Sequence, residues 1–205
     1  MPASPGPTAL LAALLVLSAI GVVHAPGVLH AQPADAPRTA KKAAPAVRAP
    51  VPIIGKGEAG LPAPVVDMRQ AILEAVRSGR IEDLRTAIEL NEIRPVIADG
   101  GAGDPLATLR SLSADGSGAD VLAALGRVLE AGWVAVPVGA DIENNRVYVW
   151  PHFAETGVRT LEPEAAAELA LVVPPEDLGP MLATGIYGYW RIGIGADGTW
   201  HFLRR

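Results

Sequence analysis

The chain has no cysteine, which excludes a disulfide scaffold, thiol catalysis and thiolate metal sites and leaves stability to an apolar core. A lipid anchor carried on cysteine is excluded with them. Aromatic side chains are scarce at 4 %, and none precedes Trp133. All nine fall later: Trp133, Tyr148, Trp150, Phe153, Tyr187, Tyr189, Trp190, Trp200 and Phe202. Lysine also runs out, since Lys56 is the last one. From Val65 onward, 12 arginines face 20 acidic residues, a local charge of −8, whereas residues 32–64 carry +3. So acidic a unit lacks the phosphate-neutralising surface on which nucleic-acid affinity rests, and nucleic acid is not expected as a partner.

Long hydrophobic runs are missing too, with one exception near the start. Ala9 to Val23 is an uncharged apolar stretch of 15 residues; as a helix it reaches about 22 Å against the roughly 30 Å of hydrocarbon that a span must cross. It reads as a secretory signal peptide, followed by a small-residue exit, Leu29-His30-Ala31, before Gln32. Cleavage is expected after Ala31, although Met1 to Thr8 contains no Lys or Arg. The processed protein is expected in the periplasm or outside the cell, without a membrane anchor.

Three segments are therefore expected: a signal peptide over 1–31, a Pro/Ala-rich disordered linker over 32–64, and a single globular domain over 65–205. The linker composition buries too little area to offset its ordering entropy. Within the domain, Val65, Met68, Ile72, Leu73 and Val76 recur at helical spacing up to Gly79, and Ile81, Leu84, Ala87 and Ile88 continue the pattern until Pro95. Asp104-Pro105 opens a short helix, and Val121, Leu122, Leu125, Val128 and Leu129 mark an amphipathic one that Gly132 closes. Trp133 to Val138 and Arg146 to Pro151 read as a hairpin. Glu162-Pro163 starts a helix that Pro174-Pro175 ends, with a turn or two over 176–182. Ile186 to Ile194 and Thr199 to Leu203 flank Asp197-Gly198, a strong hairpin signal. The expected fold is α+β, an N-terminal helical layer packed on a small antiparallel sheet of about four strands.

Reaction motifs are absent. There is no G-x-S-x-G and no H-E-x-x-H, and Gly100-Gly101-Ala102-Gly103 lacks the Lys-Ser/Thr of a phosphate loop. Neither a cofactor nor a metal is expected. His152 and His201, the imidazoles left after processing, could join Glu155, Asp141 or Glu143 in an acid/base or metal cluster, but they come from separate hairpins. Strand alternation sends Tyr148 and Trp150 to one face and sets Tyr187 and Tyr189 opposite Trp190. Rings left bare on a rigid sheet would bind a glycan, a peptide or a protein partner. The expected function is that of an exported, non-enzymatic envelope domain with such an aromatic surface. The alternatives are an envelope-polymer hydrolase using His152, Glu155 and His201, and a purely structural accessory subunit.

Three stretches, Gly132-Trp133-Val134-Ala135-Val136-Pro137, Val147 to Ala154, and Gly188 to Trp200, resemble a group of exported proteobacterial proteins of unassigned function. The resemblance implies a Gram-negative envelope location and supplies no catalytic residues.

Overall fold

A computed structural model describes residues 52–98, 103–139, 141 and 145–205. They lie in one unit, Arg48–Arg205. The expected signal peptide, residues 32–51 of the expected linker, most of the first glycine-rich loop and Glu143 lie outside the described residues.

The chain runs through β1 (Ile53–Gly55), α1 (Ala63–Ser78), a 3-10 turn (Ile81–Asp83) leading into α2 (Leu84–Glu89), β2 (Val96–Ile97), α3 (Pro105–Ser111) and α4 (Ala119–Glu130). It continues with β3 (Trp133–Pro137), β4 (Arg146–Trp150), α5 (Phe153–Thr156), α6 (Pro163–Val172), α7 (Pro175–Thr184), β5 (Arg191–Gly195) and β6 (Trp200–Arg204). The strands form one sheet in the order β1-β3-β4-β5-β6-β2. All neighbours are antiparallel except β2 and β6, which are parallel. The mixed α and β character agrees with the sequence. The sheet has six strands instead of four, it is mixed instead of antiparallel, and α5, α6 and α7 lie in the second half, so the helices are not an N-terminal layer alone.

The principal helices form for the reasons their spacing gives. On α4, Val121, Leu122, Leu125, Val128 and Leu129 all turn into the core. Asp104 caps α3 by accepting the Leu106 N–H at 3.4 Å, with Pro105 in the first turn. Buried Arg69 of α1 donates from Nε and Nη2 to the Leu129 carbonyl oxygen at 3.2 and 2.9 Å. That carbonyl belongs to the last turn of α4, where acceptors lack intrahelical partners and the helix dipole favours a cation. Burial lowers the Arg69 pKa, while the carboxylate of Glu58, 3.5 Å from Nη1, opposes the shift.

Glu58 lies in the segment expected to be linker, and it does not stand alone. Ile53, Ile54 and Gly55 pair with Ala135, Val134 and Trp133. The Trp133 indole Nε1 donates to the Gly57 carbonyl at 3.1 Å, and Lys56 Nζ sits 3.4 Å from Glu168 of α6. The folded domain therefore begins before Val65, and residues 53–64 are part of it. The linker composition misled because β1 is three residues long and gains its stability from pairing with β3, which local sequence does not display.

One face of the sheet meets the helices. Ala135, Tyr148, Trp150, Ile192, Ile194, Trp200 and Leu203 form a continuous buried cluster with residues of α1, α3, α4 and α6. The alternate positions point the other way, and Ile54, Val134, Val149, Gly193, Phe202 and Val96 make one register row across all six strands.

Candidate functional site

Burial decides most of the aromatic set. Tyr148, Trp150 and Trp190 are 6, 0 and 3 % exposed, so the expected stacking surface does not include them. Tyr148 and Trp150 do share a face, and it is the one under the helices. Tyr187, Tyr189 and Trp190 precede β5 instead of lying on it, so strand alternation does not apply to them. The physical reason is local: the Tyr187 hydroxyl turns back to donate to the Trp190 carbonyl at 2.8 Å.

Tyr187 and Tyr189 nonetheless line a cleft of about 550 Å³ together with Glu155, Thr156, Arg191 and Arg205. Several contacts build it. α5 is held against β3 by the His152 N–H donating to the Gly132 carbonyl at 2.7 Å. The end of α5 is joined to the end of α7 by Val158 N–H to the Gly185 carbonyl at 3.2 Å. Phe153 and Tyr187 stack with centroids 6.5 Å apart, and burial raises the Tyr187 pKa, so its hydroxyl stays a donor. The Tyr189 hydroxyl lies 3.4 Å from Arg127 Nη2, and the Arg205 guanidinium sits 5.5 Å from the Tyr189 ring centroid. Arg191 Nη1 is 3.9 Å from Glu155 Oε1, and Arg205 Nη2 is 3.6 Å from Asp177 Oδ2.

Of the alternative acid/base residues, His152 and Glu155 belong to the single turn of α5, His152 as its N-cap residue, and His201 lies apart on β6. Glu155 faces the cleft just described. His152 is half-buried, with its ring 4.0 Å from that of Phe153 and its Nδ1 3.2 Å from Thr156 Oγ1. The Thr156 hydroxyl also lies 3.1 Å from the His152 carbonyl, to which it donates. Desolvation lowers the His152 pKa; Glu168 pulls it up and Lys56 pushes it down. His201 is exposed on β6, beside Asp197, and borders two other clefts, of about 290 and 610 Å³. Hydrogen bonding from the Thr199 backbone N–H leads the causes that lower the Asp197 pKa, and His201 adds to them. Asp141 lies before β4, with its carbonyl accepting the Asn145 N–H at 2.9 Å. Among the described residues, no group of three or more His, Cys, Asp or Glu side chains could hold a metal ion.

Sequence reasoning missed Arg191 and Arg205. The available signal was the Asp197-Gly198 hairpin, whose register sets Arg191 opposite Arg204 and so brings Arg205 beside it. No family model, curated protein or solved structure matches the chain.

Proposed function

We propose that the protein is an exported, non-enzymatic binding domain of the bacterial envelope, and that its ligand occupies the cleft between α5, the segment leading into β5, and Arg205. The observation that carries this reading is the cleft itself. Its volume of about 550 Å³ lies within the range of small-molecule sites, and Glu155, Thr156, Arg191 and Arg205 line it together. The apolar stretch Ala9 to Val23 supports export, and no helix among the described residues is long and apolar enough to cross a membrane. A hydrolase needs imidazole and carboxylate converging on one substrate position. Glu155 lines the ligand cleft without an imidazole, and the imidazole–carboxylate neighbours, His201 with Asp197 and His152 with Glu168, are not among that cleft's lining residues, which favours binding over turnover there.

The test is a ¹H–¹⁵N spectrum of the protein with and without a soluble digest of envelope peptidoglycan, followed by mass analysis of the digest. Shifts concentrated at Thr156, Gly157 and Ile186 to Tyr189, with the digest chemically unchanged, are the expected result. Cleavage products would replace this reading with the hydrolase. Failure of the cleft amides to shift with that digest would remove the ligand cleft.

A further inference from the structure

Tyr187 and Tyr189 line the cleft without offering it a stacking platform. Tyr189 is 6 % exposed and lies under the Arg205 guanidinium, and the Tyr187 hydroxyl is spent on the Trp190 carbonyl. A ligand arriving here meets guanidinium groups more readily than ring faces. Two arginines lie on the same cleft, in a region where acidic residues outnumber arginines by 20 to 12.

Among the described residues, no direct hydrogen bond commits the donors of either guanidinium. Nitrogen–oxygen separations of 3.9 Å to Glu155 and 3.6 Å to Asp177 exceed the roughly 2.7–2.9 Å of a direct charge-assisted hydrogen bond. Elsewhere the domain does close such contacts: Arg80 meets Asp83 at 2.6 Å, and Arg69 reaches the Leu129 carbonyl at 2.9 Å. The Arg191 and Arg205 side chains are 40 and 53 % exposed, and their carboxylate partners 37 and 36 %. Glu155 and Asp177 thus neutralise the two guanidiniums at a distance while leaving their planar donor edges available.

We infer that the ligand enters this cleft through a carboxylate, which Arg191 and Arg205 hold between them; the inference rests on the binding-domain reading. A planar carboxylate matches the fork of a guanidinium with two parallel N–H donors and carries a single charge. The carboxylate belongs to an acidic sugar or to a peptide end, and the chemistry at the arginines is the same for both.

The experiment titrates the full-length or processed protein with four probes while following the cleft amides by NMR. Trigalacturonate and chitotriose are the acidic and neutral sugars; acetyl-Ala-Ala and its C-terminal amide are the acidic and neutral peptides. At least one acidic probe should shift Thr156, Gly157 and Tyr187 to Tyr189, and bind about 10-fold more tightly than its neutral counterpart, the size of one charge-assisted contact. Arg191→Gln and Arg205→Gln should each remove about that factor while the rest of the spectrum reports an intact fold. Glu155→Gln should tighten binding, since the resident carboxylate no longer competes. Raising ionic strength from about 0.05 to about 0.5 M should weaken it. Which acidic probe responds identifies the source.

Equal affinity for acidic and neutral probes, or native affinity in both arginine variants, would overturn the carboxylate. So would four silent probes. If the peptidoglycan digest still shifts the cleft in that case, the binding domain stands and only its ligand chemistry falls; if the digest is silent too, both fall.

Discussion

The two faces of the sheet are built to different rules. The helix side is made of large rings and branched chains, Tyr148, Trp150, Ile192, Ile194, Trp200 and Leu203, joined to residues of all seven helices in one buried cluster. The far side is small only at its centre. Its central row is Val134, Val149 and Gly193, bounded by Ile54 and Phe202. Val134 and Val149 are 1 and 3 % exposed yet stand outside the helix-side cluster. Buried area per residue is therefore concentrated on one side, and so, to first order, is the stabilisation that scales with it. The comparison also explains why the aromatic residues crowd the second half of the chain: four of the six strands are there, and their rings are packing material first.

The largest effect should come from emptying the helix side. Trp150 is fully buried, and Trp150→Ala should cost about 3–5 kcal/mol. Phe202→Ala, on a partly exposed ring of the far face, should cost less than half as much. Urea denaturation of both variants checks this. Equal losses would mean that the far face is as tightly packed as the helix face. Trp150→Phe should be milder than the alanine variant. It keeps much of the ring area and removes a buried Nε1–H that has no hydrogen-bond partner among the described residues.

Next in size is the edge that the sequence concealed. A chain started at Val65 loses β1, the Gly57 acceptor for Trp133, and the Lys56 and Glu58 ion pairs. Compared with a chain started at Pro52, it should melt about 5–10 °C lower, which for a domain of this size corresponds to roughly 2–3 kcal/mol. Identical melting temperatures would show that β1 adds nothing to the sheet.

That contrast marks where the sequence was legible. β3, β4 and β6 follow alternation and the Asp197-Gly198 turn; α1 and α4 follow apolar spacing that tertiary packing reinforces. β1 and β2 are three and two residues long, and their partners lie far along the chain. Such short strands exist because a sheet edge accepts them, so local pattern is silent. Residues 186–190 read as strand because Tyr187 and Tyr189 alternate, but the Tyr187–Trp190 hydrogen bond curls the chain before β5 starts. α7 runs ten residues where a turn or two is expected, since Gly179 and Pro180 mask its continuity. Of the candidates named from the sequence, Tyr187, Tyr189 and Glu155 line the proposed cleft, Glu155 having been named for a different chemistry. The sequence had no means of telling which rings were covered, because coverage depends on helices packed from elsewhere in the chain.

Two glycines sharpen the comparison at smaller amplitude. Gly55 lies under the Trp133 indole and Gly193 under the Phe202 ring, and at either one an added Cβ would collide with that ring. Trp133 is buried and fixed by its bond to Gly57, so Gly55→Ala should cost about 1–3 kcal/mol through overpacking. Phe202 is partly exposed and can swing aside, so Gly193→Ala should cost less than about 1 kcal/mol, part of it returned by alanine's lower chain entropy when unfolded. Thermal melts of the pair measure the difference. A larger loss at Gly193 would show that Phe202 is locked and that the far face is rigid.

The smallest effect is a pH dependence at the rim of the helix side, where His152 packs on Phe153. Burial is the first cause of its lowered pKa; Glu168 of α6 and Lys56 after β1 act in opposite directions, and Thr156 holds Nδ1. The folded state therefore releases the His152 proton at a lower pH than the unfolded chain does. Below the ordinary value near 6.5, the unfolded state binds more protons, and stability from this group falls as pH falls until the folded-state pKa is passed. Above 6.5 the neutral ring contributes no pH dependence. Denaturation midpoints between about pH 7.5 and pH 5 should drift downward in the native protein, and the drift should shrink in His152→Gln, which keeps a side chain able to hydrogen-bond to Thr156 but does not titrate. A drift of unchanged size in that variant would assign it to other groups, and a midpoint that rises on acidification would reverse the sign argued from burial.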